Sequence, residues 1–149
     1  MGSEIEQDGR HVFVYGSLMY LPVWAQVVNG VYPCLNAVAK GFQRHAVPGE
    51  TYPAMVENSS AQVQGLVWLN VLPADLKRLD AFEGPEYERR EIEVVLNTSG
   101  ESMRADTYIW LTPSALTDAL WSVAEFEAEG MQAFLNKHVG NWNSTGQRK

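Results

Sequence analysis

Apolar positions change their period several times along the chain, and each change marks an element. Val12, Phe13, Val14 and Tyr15 form an unbroken strand-favouring run that Gly16 stops, which predicts a buried strand entering a tight turn. Val23, Trp24, Val27 and Val28 then recur at helical spacing, and Asn29-Gly30 closes a short helix over residues 22–28. From Leu35 to Val47 apolar residues recur without a helical period, and Gly49-Glu50 bends the chain toward TYPAMV, so two extended segments are expected. VQGLVWLNV, residues 63–71, is denser in Val, Leu and Trp than a half-exposed strand requires and should run through the middle of a sheet.

PADLKRLDAFEG predicts a helix with Pro73 and Asp75 in its first turn and Gly84-Pro85 ending it. EYERREIEVVLNT alternates along its length, and Gly100 turns it into MRADTYIWL, a hairpin pattern. Leu116, Leu120, Val123, Met131, Phe134 and Leu135 fit a helical stripe over residues 113–139, kinked at Gly130, with Glu125, Glu127 and Glu129 on a solvated face. The expected architecture is therefore α+β: about six strands, not joined by regular βαβ units, in a small mixed barrel-like sheet with flanking helices. A single domain over residues 11–140 is expected, between flexible tails at 1–10 and 141–149.

Composition narrows the function classes. The 149 residues are 46% hydrophobic, enough for a real core. Eleven basic against eighteen acidic residues give a net charge of −7, and no local basic patch offsets it, which argues against nucleic acid and anionic membranes as partners. No segment approaches the roughly 20 apolar residues of a membrane span, and MGSEIEQDGR lacks a signal-peptide core. With Cys34 the only cysteine, a cytoplasmic protein is expected, and Cys34 itself reads as a small buried hydrophobe. His11, His45 and His138 are scattered, so neither a metal centre nor a cofactor is expected, and no phosphate-binding glycine loop occurs. The sequence carries no signal for oligomeric state.

Two places carry candidate chemistry. Setting Leu76 at 0° and stepping about 100° per residue puts Leu79 at about 300°, Leu72 at about 320° and Glu83 at about 340°. Glu83 thus points where a leucine should, while Ala74, Asp75, Lys77, Arg78 and Ala81 occupy the arc expected to face water. Either the last turn frays and frees Glu83 into solvent, or the carboxyl sits in an apolar setting that raises its pKa and makes it a candidate general base. Arg89 is close enough in sequence to oppose that rise, or else it is structural or solvent-facing. The second place is Tyr15-Gly16-Ser17-Leu18, where Gly16 tolerates a positive φ; it is an ordinary strand-to-helix turn, or a nest of backbone N–H groups for a carboxylate or oxyanion. Tyr52, Tyr87 and Tyr108 stand in aromatic stretches that fill a core or line a pocket.

VFVYGSL, GFQR with YPA, VQGLVW, LDAFEGPEYER and TYIW, in that order, resemble the γ-glutamyl cyclotransferase-like family, in particular its avirulence-induced (AIG-type) branch and γ-glutamylamine cyclotransferase. The resemblance covers His11 to about Leu111 and implies a small mixed β-barrel. The implied activity is cofactor-free intramolecular aminolysis, in which the α-amine of a small γ-glutamyl compound attacks its own γ-carbonyl and releases 5-oxoproline. It implies Glu83 as the general acid/base and Tyr15, Gly16, Ser17 and Leu18 as the substrate-holding loop. The residues after YGSL, MYLPVW, differ from the charged continuation of amine-specific members, so the leaving group stays open. A non-catalytic pocket protein of the same fold and an enzyme acting on a conjugated carrier or peptide remain the rival readings.

Overall fold

The computed structural model describes residues 9–134. Five strands close into a barrel in the order β1-β3-β2-β4-β5: β1 (Arg10–Val14), β2 (Cys34–Ala46), β3 (Pro53–Val71), β4 (Tyr87–Leu96) and β5 (Ser102–Trp110). All neighbours are antiparallel except β1 and β5, which meet in parallel at Val12 and Asp106. The strand count is five rather than about six, because the segments expected at TYPAMV and at 63–71 are one 19-residue strand. The polar residues between them belong to a register shift, where pairing passes from Lys40↔Gln62 to Phe42↔Glu57 and β3 carries surplus residues as a bulge.

Strand β1 explains its unbroken apolar run by being buried on both faces. Phe13 and Tyr15 enter the barrel interior with Met55, Val67, Ile92, Val94 and Ile109. Val12 and Val14 pack outward under the helices, against Trp24, Trp68, Leu76 and Leu79. Helix α1 (Leu21–Val27) and helix α2 (Pro73–Glu83) cover that outer face, and the Trp24 and Trp68 rings stack at 4.3 Å between them.

Three local expectations need correction. Asp75 does not face water: it is 4% exposed and accepts hydrogen bonds from the Asn29 and Gly30 N–H groups, the Tyr32 hydroxyl and Arg78. The loop after α1 folds over the N-terminal turn of α2, and helical phase alone does not show this. Cys34 opens β2 on its outward face and is exposed. The stripe from Pro113 is not one helix: a 3₁₀ turn covers Pro113–Ala115, Leu120 forms an isolated bridge to His45, and helical structure starts at Val123 with a π turn over Phe126–Gly130. Trp121 and Phe126, both buried, anchor that segment, while Leu120 is exposed and Leu116 packs partly buried against the separate Val47, Ala54 and Trp110 cluster. Residues 135–139 of the expected stripe, the 141–149 tail, His138 and all but the last two residues of the 1–10 tail lie outside the described residues.

Candidate active site

Where β1 leaves the barrel, the chain makes a 3₁₀ turn over Ser17–Met19 and enters α1. Gly16 is required there by close approach rather than by a positive φ: its φ is −135°, and a Cβ on it would lie 2.6 Å from the Pro53 ring. The turn donates Met19 N–H to Gly16 O and Tyr20 N–H to Ser17 O. Among the described residues nothing accepts from the N–H groups of Gly16, Ser17 or Leu18, nor from the hydroxyl of Ser17, whose residue is only 6% exposed.

Opposite this turn stands the end of α2. Leu76 and Leu79 are buried and Phe82 packs against the same core, so the last turn does not fray and Glu83 keeps the phase of the leucines. Gly84 then ends the helix at φ +88°, its N–H on Asp80 O. Between the two elements lies a cavity of about 300 Å³. Its walls are the Phe13–Leu18 stretch, Tyr52 and Pro53, residues 82–86, Tyr87 and Tyr108. Every residue singled out in the sequence as a candidate (Glu83, Tyr15, Gly16, Ser17, Leu18, Tyr52, Tyr87, Tyr108) thus borders the same space.

The tyrosines build the walls with their hydroxyls turned to protein acceptors. Tyr15 donates to Tyr108 O at 2.6 Å, Tyr87 to Pro53 O at 2.7 Å, and Tyr108 to Asp80 Oδ1 at 2.7 Å. Burial, with the Glu83 charge added, holds Tyr15 and Tyr87 well above the ordinary tyrosine range; burial and the Asp80 hydrogen bond do the same for Tyr108. These groups are fixed neutral donors rather than acids or bases.

Glu83 is the titratable exception. Its remaining accessible surface lines the cavity, and no described residue hydrogen-bonds to its carboxyl. Burial first, and the Asp80 charge one turn earlier second, push its pKa from 4.5 to about 8. Arg89 does not counter this, because it is spent elsewhere: Nε meets Asp80 at 2.8 Å and Nη1 meets Asp106 at 2.6 Å. Asp106, 3% exposed, also binds Arg10 at 2.7 Å. Burial alone would raise Asp106, but the hydrogen bonds from Arg10 and Arg89 outweigh it and hold the carboxyl below its usual range. The result is a charged chain Arg10-Asp106-Arg89-Asp80 running beside the cavity, which local sequence spacing could not show since Asp106 lies 17 residues from Arg89. A carboxyl with a pKa near 8 and no hydrogen-bond partner among the described residues, across the cavity from backbone N–H groups that likewise lack a described acceptor, can exchange a proton with a bound molecule while the turn holds an anionic part of it.

The profile of the family described as "Gamma-glutamyl cyclotransferase, AIG2-like" matches residues 12–126. The chain is 36% identical to AIG2-like protein C of Arabidopsis thaliana over 99 residues, which is 66% of this chain and 58% of that relative's length. A solution structure of another Arabidopsis thaliana protein superposes with a TM-score of 0.68 at 30% identity, over 87% of each chain. A structure named gamma-glutamyl cyclotransferase shares the fold at 17% identity, with a TM-score of 0.59 over 69% of this chain and 67% of that one.

Proposed function

Because the chain belongs to the AIG2-like γ-glutamyl cyclotransferase family, we propose that it cyclises a small γ-glutamyl amine or peptide to 5-oxoproline, with Glu83 as general acid/base. The observation that carries this reading is the Glu83 carboxyl, set across a cavity of about 300 Å³ from the N–H groups of Gly16, Ser17 and Leu18, with none of these groups partnered among the described residues. That volume sits at the small end of ligand pockets and suits a molecule of amino-acid conjugate size.

The chemistry follows from proton positions. An α-ammonium is not nucleophilic, so the Glu83 carboxylate takes one of its protons. A carboxyl that titrates near 8 is a stronger base than an ordinary carboxylate, which narrows the gap to the substrate's ammonium and lowers the free-energy cost of that transfer. The freed amine attacks the γ-carbonyl, forming the ring C–N bond, and the developing oxyanion or the α-carboxylate rests on the turn's N–H groups. The old C–N bond then breaks as Glu83 returns a proton to the departing nitrogen. Over the full reaction the α-nitrogen loses two protons and the leaving nitrogen gains two, so the enzyme ends as it began. The cavity's further contribution is conformational: ring closure needs the glutamyl chain folded back, and holding it so lowers the barrier by up to about 7–11 kcal/mol in the best-oriented cases.

The test is mass-spectrometric detection of 5-oxoproline from a panel of γ-glutamyl amines and dipeptides, with wild type and Glu83→Gln. Turnover by wild type and a loss of at least about 100-fold in the folded variant are expected. Turnover retained by Glu83→Gln would eliminate the mechanism, and ligand binding without turnover of any panel member would replace it with a binding role for the pocket.

A further inference from the structure

Five of the six described arginines hold a carboxylate: Arg10, Arg78, Arg89, Arg90 and Arg104. Arg44 does not. Its Nη1 donates to Tyr15 O at 2.6 Å and to Gln64 O at 3.2 Å, and its guanidinium lies 5.1 Å from the centre of the Trp121 ring. Among the described residues no carboxylate pairs with it, and burial pulls its pKa down, so it is a partly desolvated cation held without a counter-ion in a protein of net charge −7.

The atom it grips is the carbonyl of the peptide whose N–H belongs to Gly16. In a trans peptide C=O and N–H point opposite ways, so a carbonyl turned to Arg44 sends the Gly16 N–H to the other side of the chain. Gly16 borders the cavity, and its N–H has no acceptor among the described residues. A hydrogen bond to the carbonyl polarises the peptide and strengthens its N–H as a donor. Among the described arginines, the guanidinium also supplies the positive charge that no carboxylate neutralises.

We propose that Arg44 is a positioning and charge-selecting residue for the Tyr15–Leu18 turn, acting through the Tyr15 carbonyl so that the turn binds a carboxylate in preference to a neutral group. It rests on the proposed function and deepens it by assigning the turn's N–H groups to the substrate's α-carboxylate. A guanidinium bridging two carbonyls where β1 leaves the sheet would equally be expected of a structural brace. The test must therefore separate charge from bracing.

The probes are 5-oxoproline and its carboxamide, titrated against the protein with the Gly16 and Ser17 amide signals followed by NMR. Wild type should bind the carboxylate about tenfold tighter than the carboxamide, with both amide signals moving. Arg44→Gln keeps an N–H donor for Tyr15 O but no charge; it should lose about tenfold on the carboxylate and less than twofold on the carboxamide, and Arg44→Lys should recover most of the difference. Equal affinities for the two probes in wild type, or equal losses on both in Arg44→Gln, overturn the proposal, and the wild-type ratio stands as a test even if the variant does not fold. Carboxylate-selective binding at the turn by a protein that cyclises no γ-glutamyl compound would sustain the role of Arg44 and remove the enzymatic reading.

Discussion

Glu83→Gln should make the protein more stable, by an amount that grows with pH. A carboxyl whose pKa rises from 4.5 unfolded to about 8 folded binds its proton more tightly in the native state. Between those two values the folded chain holds a proton that the unfolded chain has released, so unfolding becomes easier as pH rises, and above about pH 8 the penalty levels off. At about 1.36 kcal/mol per pH unit the cost is near zero at pH 4, about 3 kcal/mol at pH 7 and at most about 5 kcal/mol above pH 8. Water entering the open side of the cavity lowers these values, and about 2–4 kcal/mol at pH 8 is the expected range. Gln mimics the neutral acid and never ionises, so the stability difference between variant and wild type should open from nothing at pH 4 to that range at pH 8–9. Urea unfolding of both proteins at intervals of one pH unit measures it, and comparison of the pair cancels every other titrating group. A difference that stays flat with pH would refute a buried, proton-holding Glu83, whatever its absolute size.

Other consequences are as direct. If Glu83 is the base, kcat/KM should climb with pH to a plateau near 8, and Asp80→Asn should move that limb to lower pH, because the Asp80 charge helps to raise Glu83; a limb unmoved in Asp80→Asn would assign it to the substrate amine instead. Asp75→Ala strands the Asn29 and Gly30 N–H groups and the Tyr32 hydroxyl, and should cost about 2–4 kcal/mol in urea unfolding; a loss below about 1 kcal/mol would mean that water takes over those donors. Gly16→Ala drives a methyl into the Pro53 ring, so the turn must shift, at about 1–3 kcal/mol in stability with a larger fractional fall in kcat/KM than in any variant of equal stability away from the cavity.

Helical phase located Glu83 because Leu76 and Leu79 bury one stripe of α2 and the last turn keeps that phase up to Gly84. The hairpin of β4 and β5 was equally legible, its alternation matching a ladder that pairs Tyr87 with Trp110 through to Val95 with Ser102. What escaped depends on contacts between distant segments. Asp75 looked solvent-facing on a helical wheel, since a wheel knows nothing of the loop at Asn29-Gly30 that closes over it. The polar stretch inside β3 read as a break, although a bulge lets a strand carry surplus polar residues without ending. Leu116 and Leu120 matched the helical period by coincidence while Trp121 and Phe126 provided the anchors. Arg44 entered only as the last residue of the GFQR motif, with no role attached, because its meaning lies in a carbonyl 29 residues away.

The parallel meeting of β1 with β5 also governs how the molecule assembles. Val12 and Asp106 are partners across most of the described chain, and Thr107 reaches back to Phe13 O over 94 residues. Closing so long a loop delays reward until late, which places this barrel among slow-folding, non-local topologies. Until β5 arrives, β1 has one edge unpaired and an apolar surface on each side, a sticky state that invites aggregation or a chaperone. The Tyr15–Leu18 turn springs from the end of that strand, so the cavity comes into being with barrel closure, and no partly folded form of the chain can possess a working half of it.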